Sequence, residues 1–484
     1  MAFHGLIFNC SYDIMQRWGG AYRIATFLRS YGWDIEVVEY TTRWSQEEID
    51  YLLKSRINPN TKFVGFATVF SHWNTTFDYI INSVKKSSSD TLIVIGGQGS
   101  QRIIASADYF INGYGENAIL AILKKHFSNS TEDINLDPAW LSYNKKVVRH
   151  ESYPSAPMKS LMIKYEDRDF IMPTEWLSVE TSRGCIFECK YCNFPILGVK
   201  SDYTRDADDF ELQLKDTYDR FGVKHYYVAD ETFNDSTGKL RKFSDAVNKL
   251  DFDPTFVGFI RADLLVARKV DRELLAKMGF FGHFYGIETT NHETGKIVGK
   301  GMDPDRLLPG LLDIKDYFKS NGRYRGDIGI VVGLPKETEE SVRKTANWIS
   351  NNWQGETVWF WPLEMPNNPM MDKLNQLYLD KEKYGYRESS SPFVKREYYA
   401  EINHVASNFN WENDNFNFNS AQTICDQITA DLDTKDFRLG SWCLGNYMYE
   451  GADLDTVLSY NRNIPWTYDD KKHVNTYISK KLNK

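Results

Sequence analysis

Residues Thr181–Cys192 read T-S-R-G-C-I-F-E-C-K-Y-C and place Cys185, Cys189 and Cys192 at the spacing C-x-x-x-C-x-x-C. A β-rich run, Trp176–Thr181, leads into them, and Gly184 supplies a turn before the first cysteine. Thiolates this close together, on a loop leaving a strand, can converge on one soft-metal centre. Three is the informative number. A four-iron cubane needs four attachments, so one iron stays open for a ligand from outside the protein. A structural zinc site wants a fourth Cys or His, and no His follows within the loop. Free cysteines buried on a loop, or an electron-transfer cluster, are the plainer readings of the same residues.

The spacing, with the Arg-Gly before Cys185 and Tyr191 just before Cys192, resembles the radical S-adenosylmethionine (SAM) enzymes. The resemblance implies a 4Fe–4S cluster held by Cys185, Cys189 and Cys192, which are then both metal ligands and catalytic residues. Its open iron would chelate the amino and carboxylate groups of SAM. One electron passed to SAM, from a donor such as flavodoxin or ferredoxin, would cleave it to methionine and a 5′-deoxyadenosyl radical. That radical would abstract hydrogen from an unactivated carbon of a substrate the sequence does not name.

At 484 residues the chain has room for two or three domains. Hydrophobic content of 42% and charged content of 26% are those of a soluble globular protein. No apolar stretch approaches the ~20 residues of a membrane span. The start, M-A-F-H-G-L-I-F, reads as a first strand and not as a signal peptide. A net charge of −8 argues against broad nucleic-acid binding, and the lysine-rich end (Lys471, Lys472, Lys480, Lys481, Lys484) reads as a solvated tail. Of six cysteines, Cys10, Cys425 and Cys443 are scattered, which predicts no disulfide framework and fits a reducing cytoplasm. The same count predicts a single cluster: the second cysteine trio of methylthio-transferring radical SAM enzymes has only Cys10 to stand for it.

Residues 1–135 alternate apolar strands with helical spacings: Phe3–Phe8, a helix over Met15–Tyr31, Asp34–Glu39, Lys62–Thr68, Leu92–Ile95 and Asp108–Asn112. Alternation of this kind predicts a Rossmann-like, doubly wound parallel sheet with ligands at the carboxyl ends of its strands. Gly19-Gly20, Y-G-W-D-I-E-V-V-E, I-G-G-Q-G and A-D-Y-F-I-N-G-Y-G-E resemble the N-terminal domain of cobalamin-dependent radical SAM proteins. That resemblance makes cobalamin an expected cofactor and Gly96 and Gly97 its expected backbone contacts. No D-x-H-x-x-G occurs, and Gln98-Gly99 stands where relatives often place His, so a His-ligated cobalt is not implied. A Rossmann-like domain that has lost its cofactor is the alternative.

Residues 136–170, with Pro138, Pro154 and Pro157, read as a linker. Six strand–helix units over 171–365 predict a partial (β/α)6 barrel, whose chemistry belongs at the C-terminal strand ends. The words found there match the family. V-A-D-E-T-F-N implies that Asp230 or Glu231, supported by Thr232, lies near the SAM amino group, unless one of them caps the next helix. Arg261-Ala262-Asp263 implies an Arg pairing with the SAM carboxylate, or a strand-end salt bridge. Gly286-Ile287-Glu288-Thr289 implies that Glu288 binds a ribose hydroxyl or the amino acid moiety, and Lys300-Gly301 follows it as in relatives. G-I-V-V-G-L-P-K-E-T implies that Gly333 lines the adenine, with Glu337 and Thr338 starting a helix. Residues 366–484 match nothing recognisable and read as a mostly helical substrate-side extension, with a helix over Ala421–Asp431.

The expectation is an α/β enzyme in which cobalamin faces the barrel mouth and a carbon is methylated at the interface of the two domains. A radical SAM rearrangement or cyclisation enzyme, or a non-catalytic sensor, are the alternatives.

Overall fold

Gly5–Asn9 (β1) is buried at every position, as a strand covered on both faces by helices must be. It is the second strand of an all-parallel sheet in the order β3-β1-β4-β5-β6-β7. Its partners are β3 (Ile35–Val38), β4 (Phe63–Ala67), β5 (Leu92–Gly96), β6 (Tyr109–Asn112) and β7 (Val147–Arg149). Helices α1 (Gly19–Ser30), α2 (Gln46–Arg56), α3 (Thr75–Ser87) and α4 (Glu116–Phe127) cover its faces, the Rossmann-like arrangement expected. The computed structural model describes residues 4–10, 16–68, 75–97, 106–128, 130–141, 143–149, 152–153, 156–158, 162–193, 203–367, 374–394, 409–448, 451–464 and 470–483. Gln98 and Gly99 lie outside them, as do Phe3 and Met15.

A second all-parallel sheet has the order β13-β12-β11-β10-β9-β8-β2. Six of its strands are the expected ones: β8 (Trp176–Val179), β9 (His225–Val228), β10 (Thr255–Phe259), β11 (Phe280–Glu288), β12 (Arg325–Val332) and β13 (Thr357–Pro362). Between them run α5 (Ala207–Phe221), α6 (Thr237–Val247), α7 (Lys269–Lys277), α8 (Pro304–Asn321) and α9 (Glu339–Asn352).

The seventh strand corrects the sequence reading. Gln16–Arg17 (β2), placed in a helix by its spacing, pairs instead with Trp176–Leu177 of β8, and α1 begins at Gly19. The cause is Arg17. Its side chain is 1% exposed, forms an ion pair with Glu175 and donates to Tyr22 Oη and the Asp169 carbonyl, both at 2.7 Å. A buried guanidinium needs that full set of acceptors, and from the extended backbone paired with β8 it reaches them. Residues 136–170 likewise contain more than a connection, since β7 extends the first sheet.

Side chains alternate across the strands of the second sheet. Tyr226 faces the helix layer, where its hydroxyl meets Thr217 at 2.7 Å, and Phe256 stacks on Phe210 of α5. Tyr227, Val257 and Phe281 face the opposite side and pack with Leu439, Leu444, Tyr447, Met448 and Val457, so a C-terminal segment fills the lower barrel interior. The C-terminal region also holds the antiparallel pair β14 (Arg387–Glu388) and β15 (Trp411–Glu412), and α10 (Phe418–Asp433) lies over the expected helix.

The last helix, α11 (Asp470–Leu482), overturns the solvated-tail reading for Lys481. Val474, Tyr477 and Ile478 pack into the core of the first sheet. Lys481 is fully buried, 3.0 Å from Glu36 Oε1 and 2.8 Å from the Val37 carbonyl. Lys480, about 100° round the helix, stays exposed.

Candidate active site at the mouth of the second sheet

The cysteine loop leaves β8 through Thr181 and Ser182, and both are held by one carboxylate. Asp230 accepts from Thr181 N–H at 2.7 Å and Ser182 N–H at 3.1 Å, and from both hydroxyls, that of Ser182 at 2.6 Å. Lys239 of α6 stands 3.1 Å from the same carboxylate and 3.4 Å from Asp235. With four donors and an ammonium, Asp230 has no lone pair to spare for a ligand. It does not cap the next helix either: Ser236 does that for α6. Glu231 is different. Its Oε2 is buried without a hydrogen-bond partner among the described residues. Burial pushes its carboxyl up to about 7, partly offset by backbone hydrogen bonds that include Gly184.

From Gly184, whose φ is +75°, the loop runs across three successive strand ends. Cys185 Sγ lies 3.5 Å from Thr232 Oγ1, beyond β9, and accepts from Phe187 N–H at 3.5 Å. Cys189 Sγ lies 3.8 Å from Arg261 NH1, beyond β10. Arg261 also makes the strand-end salt bridge, with Asp263 at 3.0 and 2.6 Å, and its guanidinium rests 4.0 Å over the Phe187 ring. Lys190 N–H donates to Val298 O at 3.0 Å, beyond β11. Gly299, whose φ of +88° favours glycine, packs against the backbone of Glu188 and Cys189. Leu377 N–H and Asn375 Nδ2 hold the carbonyls of Lys190 and Tyr191 at 3.0 and 3.1 Å, so the C-terminal region braces the loop's far side.

Tyr191 Oη donates to Glu288 Oε1 at 2.9 Å, joining the loop to the end of β11. Glu288 takes φ +67°, a conformation costly for a non-glycine residue, and its carboxylate folds back over Gly286. A Cβ at Gly286 would lie 2.4 Å from Glu288 Oε1. Lys300, which had no clear contact in the sequence, donates to Gly286 O at 2.7 Å and stands 3.8 Å from Glu288. Burial raises the Glu288 carboxyl and the Lys300 charge opposes it.

Gly333 makes a close approach of another kind. With φ +100°, it faces Trp411, and a Cβ would stand 2.2 Å from that indole. Its carbonyl accepts from Tyr386 Oη at 2.7 Å. Glu337 is structural, as expected: it accepts from Thr289 Oγ1 at 2.7 Å and from Gly333 and Leu334 N–H at 3.2 Å. At the carboxyl end of β5, Gly96 O accepts from Thr68 N–H at 2.8 Å, and Gly97 has φ +124°. Among the described residues, a Cβ at Gly96 would find nothing nearer than 3.8 Å, and one at Gly20 nothing within 4 Å.

Sequence reasoning missed what fastens the two sheets. Arg183, two residues before Cys185, donates to Glu116 Oε1 at 2.6 Å and to Glu180 at 2.6 Å, and lies 4.3 Å over the Tyr114 ring. Arg23 of α1 meets the same Glu116 oxygen at 3.2 Å. Glu116 closes G-Y-G-E and Arg183 belongs to T-S-R-G-C, so both words had been noticed, but for other reasons.

Among the described residues no three His, Cys, Asp or Glu side chains are already grouped as one metal would hold them. The donor set nonetheless fits a thiolate-ligated centre. None of the three cysteines is in a disulfide, all are partly exposed, and a hydroxyl and a guanidinium face two of the sulfurs. The family model described as the radical SAM superfamily matches residues 179–349, from the end of β8 to α9. Residues 179–349 form a radical SAM domain. A putative methylthiotransferase of Methanocaldococcus jannaschii is 25% identical over 186 residues, 35% of this chain and 38% of that one. An uncharacterized methyltransferase of Pyrococcus horikoshii is 21% identical over 168 residues, 34% and 35% of the two chains. The matched stretch thus spans little more than a third of these relatives. Outside the radical SAM domain the likeness is one of fold. The solved structure of the radical SAM methyltransferase TsrM from Kitasatospora setae, with cobalamin and a 4Fe–4S cluster bound, superposes with a TM-score of 0.67 at 14% identity, covering 100% of both chains.

Proposed function

We propose that this chain is a radical SAM enzyme that methylates a carbon of its substrate with the help of cobalamin. The observation that supports it most is the placement of the cysteine loop over the ends of β9, β10 and β11, tied to the first sheet through Arg183 and Glu116. When bound, the cluster supplies the electron that cleaves SAM, and the corrinoid supplies a methyl carrier. Cys185, Cys189 and Cys192 are the cluster's ligands.

The chain's own residues divide the remaining tasks. Asp230 and Lys239 fix the start of the loop. Glu231, with its unspent oxygen, accepts from the SAM ammonium. Arg261 keeps positive charge beside Cys189, where a reduced cluster gains negative charge. Glu288, oriented by Tyr191 and Lys300, takes the polar edge of SAM. Gly96 and Gly97 offer the corrinoid backbone that carries no side chain of its own.

Anaerobic reconstitution with iron, sulfide and hydroxocobalamin, followed by desalting, tests the reading. The expected result is about four irons and one cobalt per chain, as one cubane and one corrinoid require. Four irons without cobalt would leave radical SAM chemistry and remove methylation. Iron retained after replacing all three cysteines by alanine would remove the cluster.

A further inference from the structure

We infer that the barrel interior below the cysteine loop is a binding site for a flat aromatic or heteroaromatic ring system, formed by Trp18, Tyr227, Phe259, Phe284, Trp361 and Trp442. The inference deepens the proposed function by naming the substrate class of that same site. Its basis is a continuous set of rings on one side of the second sheet. Tyr227 meets Trp442 at 4.1 Å and Trp18 at 5.8 Å between ring centres. Phe259 meets Trp442 at 5.0 Å and Phe284 at 5.1 Å, and Phe284 meets Trp361 at 6.2 Å. Gly329 lies between the last two rings: a Cβ there would stand 3.3 Å from each.

Position sets these rings apart from ordinary core. Strand alternation turns Tyr226 and Phe256 toward the helices and Tyr227 and Phe259 to the other side. Phe256 and Tyr226 are wholly buried, whereas Trp18, Phe259, Phe284, Trp361 and Trp442 each keep part of their surface open. Phe259, Phe284 and Trp361 lie on the side of the sheet away from the helices, the side of the barrel interior, and Trp442 meets the first two of them there. The C-terminal segment closes the lower end, where Leu439, Leu444 and Tyr447 pack on Val257 and Phe281.

The upper end belongs to the proposed chemistry. Phe259 is two residues before Arg261, and Phe284 precedes Gly286 and the carboxylate of Glu288 on the same strand. A molecule on the rings therefore lies under the loop that carries the cysteines. Three separate regions contribute: Trp18 precedes α1, four rings come from barrel strands, and Trp442 comes from the C-terminal segment. Aromatic walls reward a flat π-system by offset stacking and edge contact, which a saturated ring of equal size cannot match.

The test is equilibrium binding of 2-naphthylmethanol and of its fully saturated decahydro counterpart to the full chain, measured by calorimetry. The naphthyl probe should bind roughly tenfold more tightly than the saturated one. Phe284→Leu and Trp361→Leu should each weaken the naphthyl probe at least about fivefold, while Tyr51→Leu, at an exposed position, changes nothing. Equal affinity for the two probes, or no saturable binding, overturns the assignment. Should a variant melt early, the two-probe comparison on the native chain still decides it. The probes need no cluster, so a chain that cleaves SAM but does not discriminate sinks only this inference, and a chain that discriminates but never holds iron sinks only the proposed function.

Discussion

Arg183 NH2 and Glu116 Oε1 stand 2.6 Å apart, and that ion pair joins the cysteine loop to the helix that follows the last glycines of the first sheet. Both side chains are at most 6% exposed. Burial pulls the Glu116 carboxyl up, and the charges of Arg183 and Arg23 overcome it and hold the group below the usual carboxylate range. The pair converts any shift between the sheets into a shift of the residues before Cys185. Glu116→Ala leaves Arg183 and Arg23 buried with Glu180 alone to balance them. A loss of about 3–5 kcal/mol in denaturant unfolding is expected. Glu116→Gln, which keeps an acceptor, should lose less.

Asp230 and Glu231 are adjacent carboxylates with opposite situations, so the two amide substitutions should separate. Asp230→Asn leaves the buried Lys239 with Asp235 and loosens Thr181 and Ser182. It should lower both the melting temperature and the iron retained after reconstitution. Glu231→Gln should keep fold and iron and weaken SAM binding roughly tenfold, the scale of one charge-assisted hydrogen bond. Iron analysis and SAM titration on both proteins check this. Equal losses of iron in the two would remove the distinction.

The cysteine loop and all six expected barrel strands were legible, the strands to within about two residues, because their signals are local: metal-ligand spacing, and apolar runs that parallel strands require. The strand at Gln16–Arg17 was not. Two residues show no period of their own, and the Glu175 that holds Arg17 extended lies 158 positions away. Lys481 was misread for the same reason, since its partner Glu36 is 445 residues distant and nothing in a Lys-Lys pair says which lysine turns inward. Asp230 and Glu231 were found as a pair but not told apart. Their difference rests on which donors the tertiary fold brings within reach.

Deleting residues 470–484 should therefore cost more than trimming a tail. The helix contributes Val474, Tyr477 and Ile478 to the core of the first sheet, and Tyr477 Oη accepts from Glu39 N–H at 2.9 Å. Loss of three buried side chains amounts to roughly 5 kcal/mol or more. Lys481→Met should be milder, because Glu36 keeps Arg56 at 2.9 Å. Urea unfolding of the two proteins, followed by intrinsic fluorescence, gives the comparison.

Burial holds the carboxyls of Glu39, Glu231 and Glu337 at about 7, above their ordinary 4.5. A carboxyl that binds its proton more tightly when folded contributes stability that is full below about 4.5 and is lost as pH rises through 7. The melting temperature should therefore be higher at pH 6.5 than at pH 8, by roughly a few degrees. Burial holds the imidazoles of His225, His283 and His473 at about 4, 4 and 3, so they oppose the trend only below their ordinary 6.5, which is why the comparison starts there. Glu36 and Glu116, shifted the other way, lose their contribution only at lower pH. Glu337→Gln should flatten part of the slope. A melting temperature that climbs between pH 6.5 and 8 would contradict the assignment.

Gly333 and Trp411 should behave as a coupled pair. Gly333→Ala faces two costs: a Cβ 2.2 Å from the indole, and an alanine held at φ +100°. Trp411→Ala removes a wholly buried side chain whose Nε1 donates to Leu363 O at 2.8 Å, and should cost about 3–5 kcal/mol. In the double variant the steric part of the glycine substitution has nothing to meet, because the ring is gone. Only the backbone cost of about 1 kcal/mol should then remain on top of the tryptophan loss. The double-mutant cycle in urea should show a coupling of about 1–3 kcal/mol, with the pair less destabilised than the sum of the singles. Strict additivity would mean that the loop after β12 moves away from the indole when alanine is introduced, and that Tyr386 and Glu337 do not hold it in place.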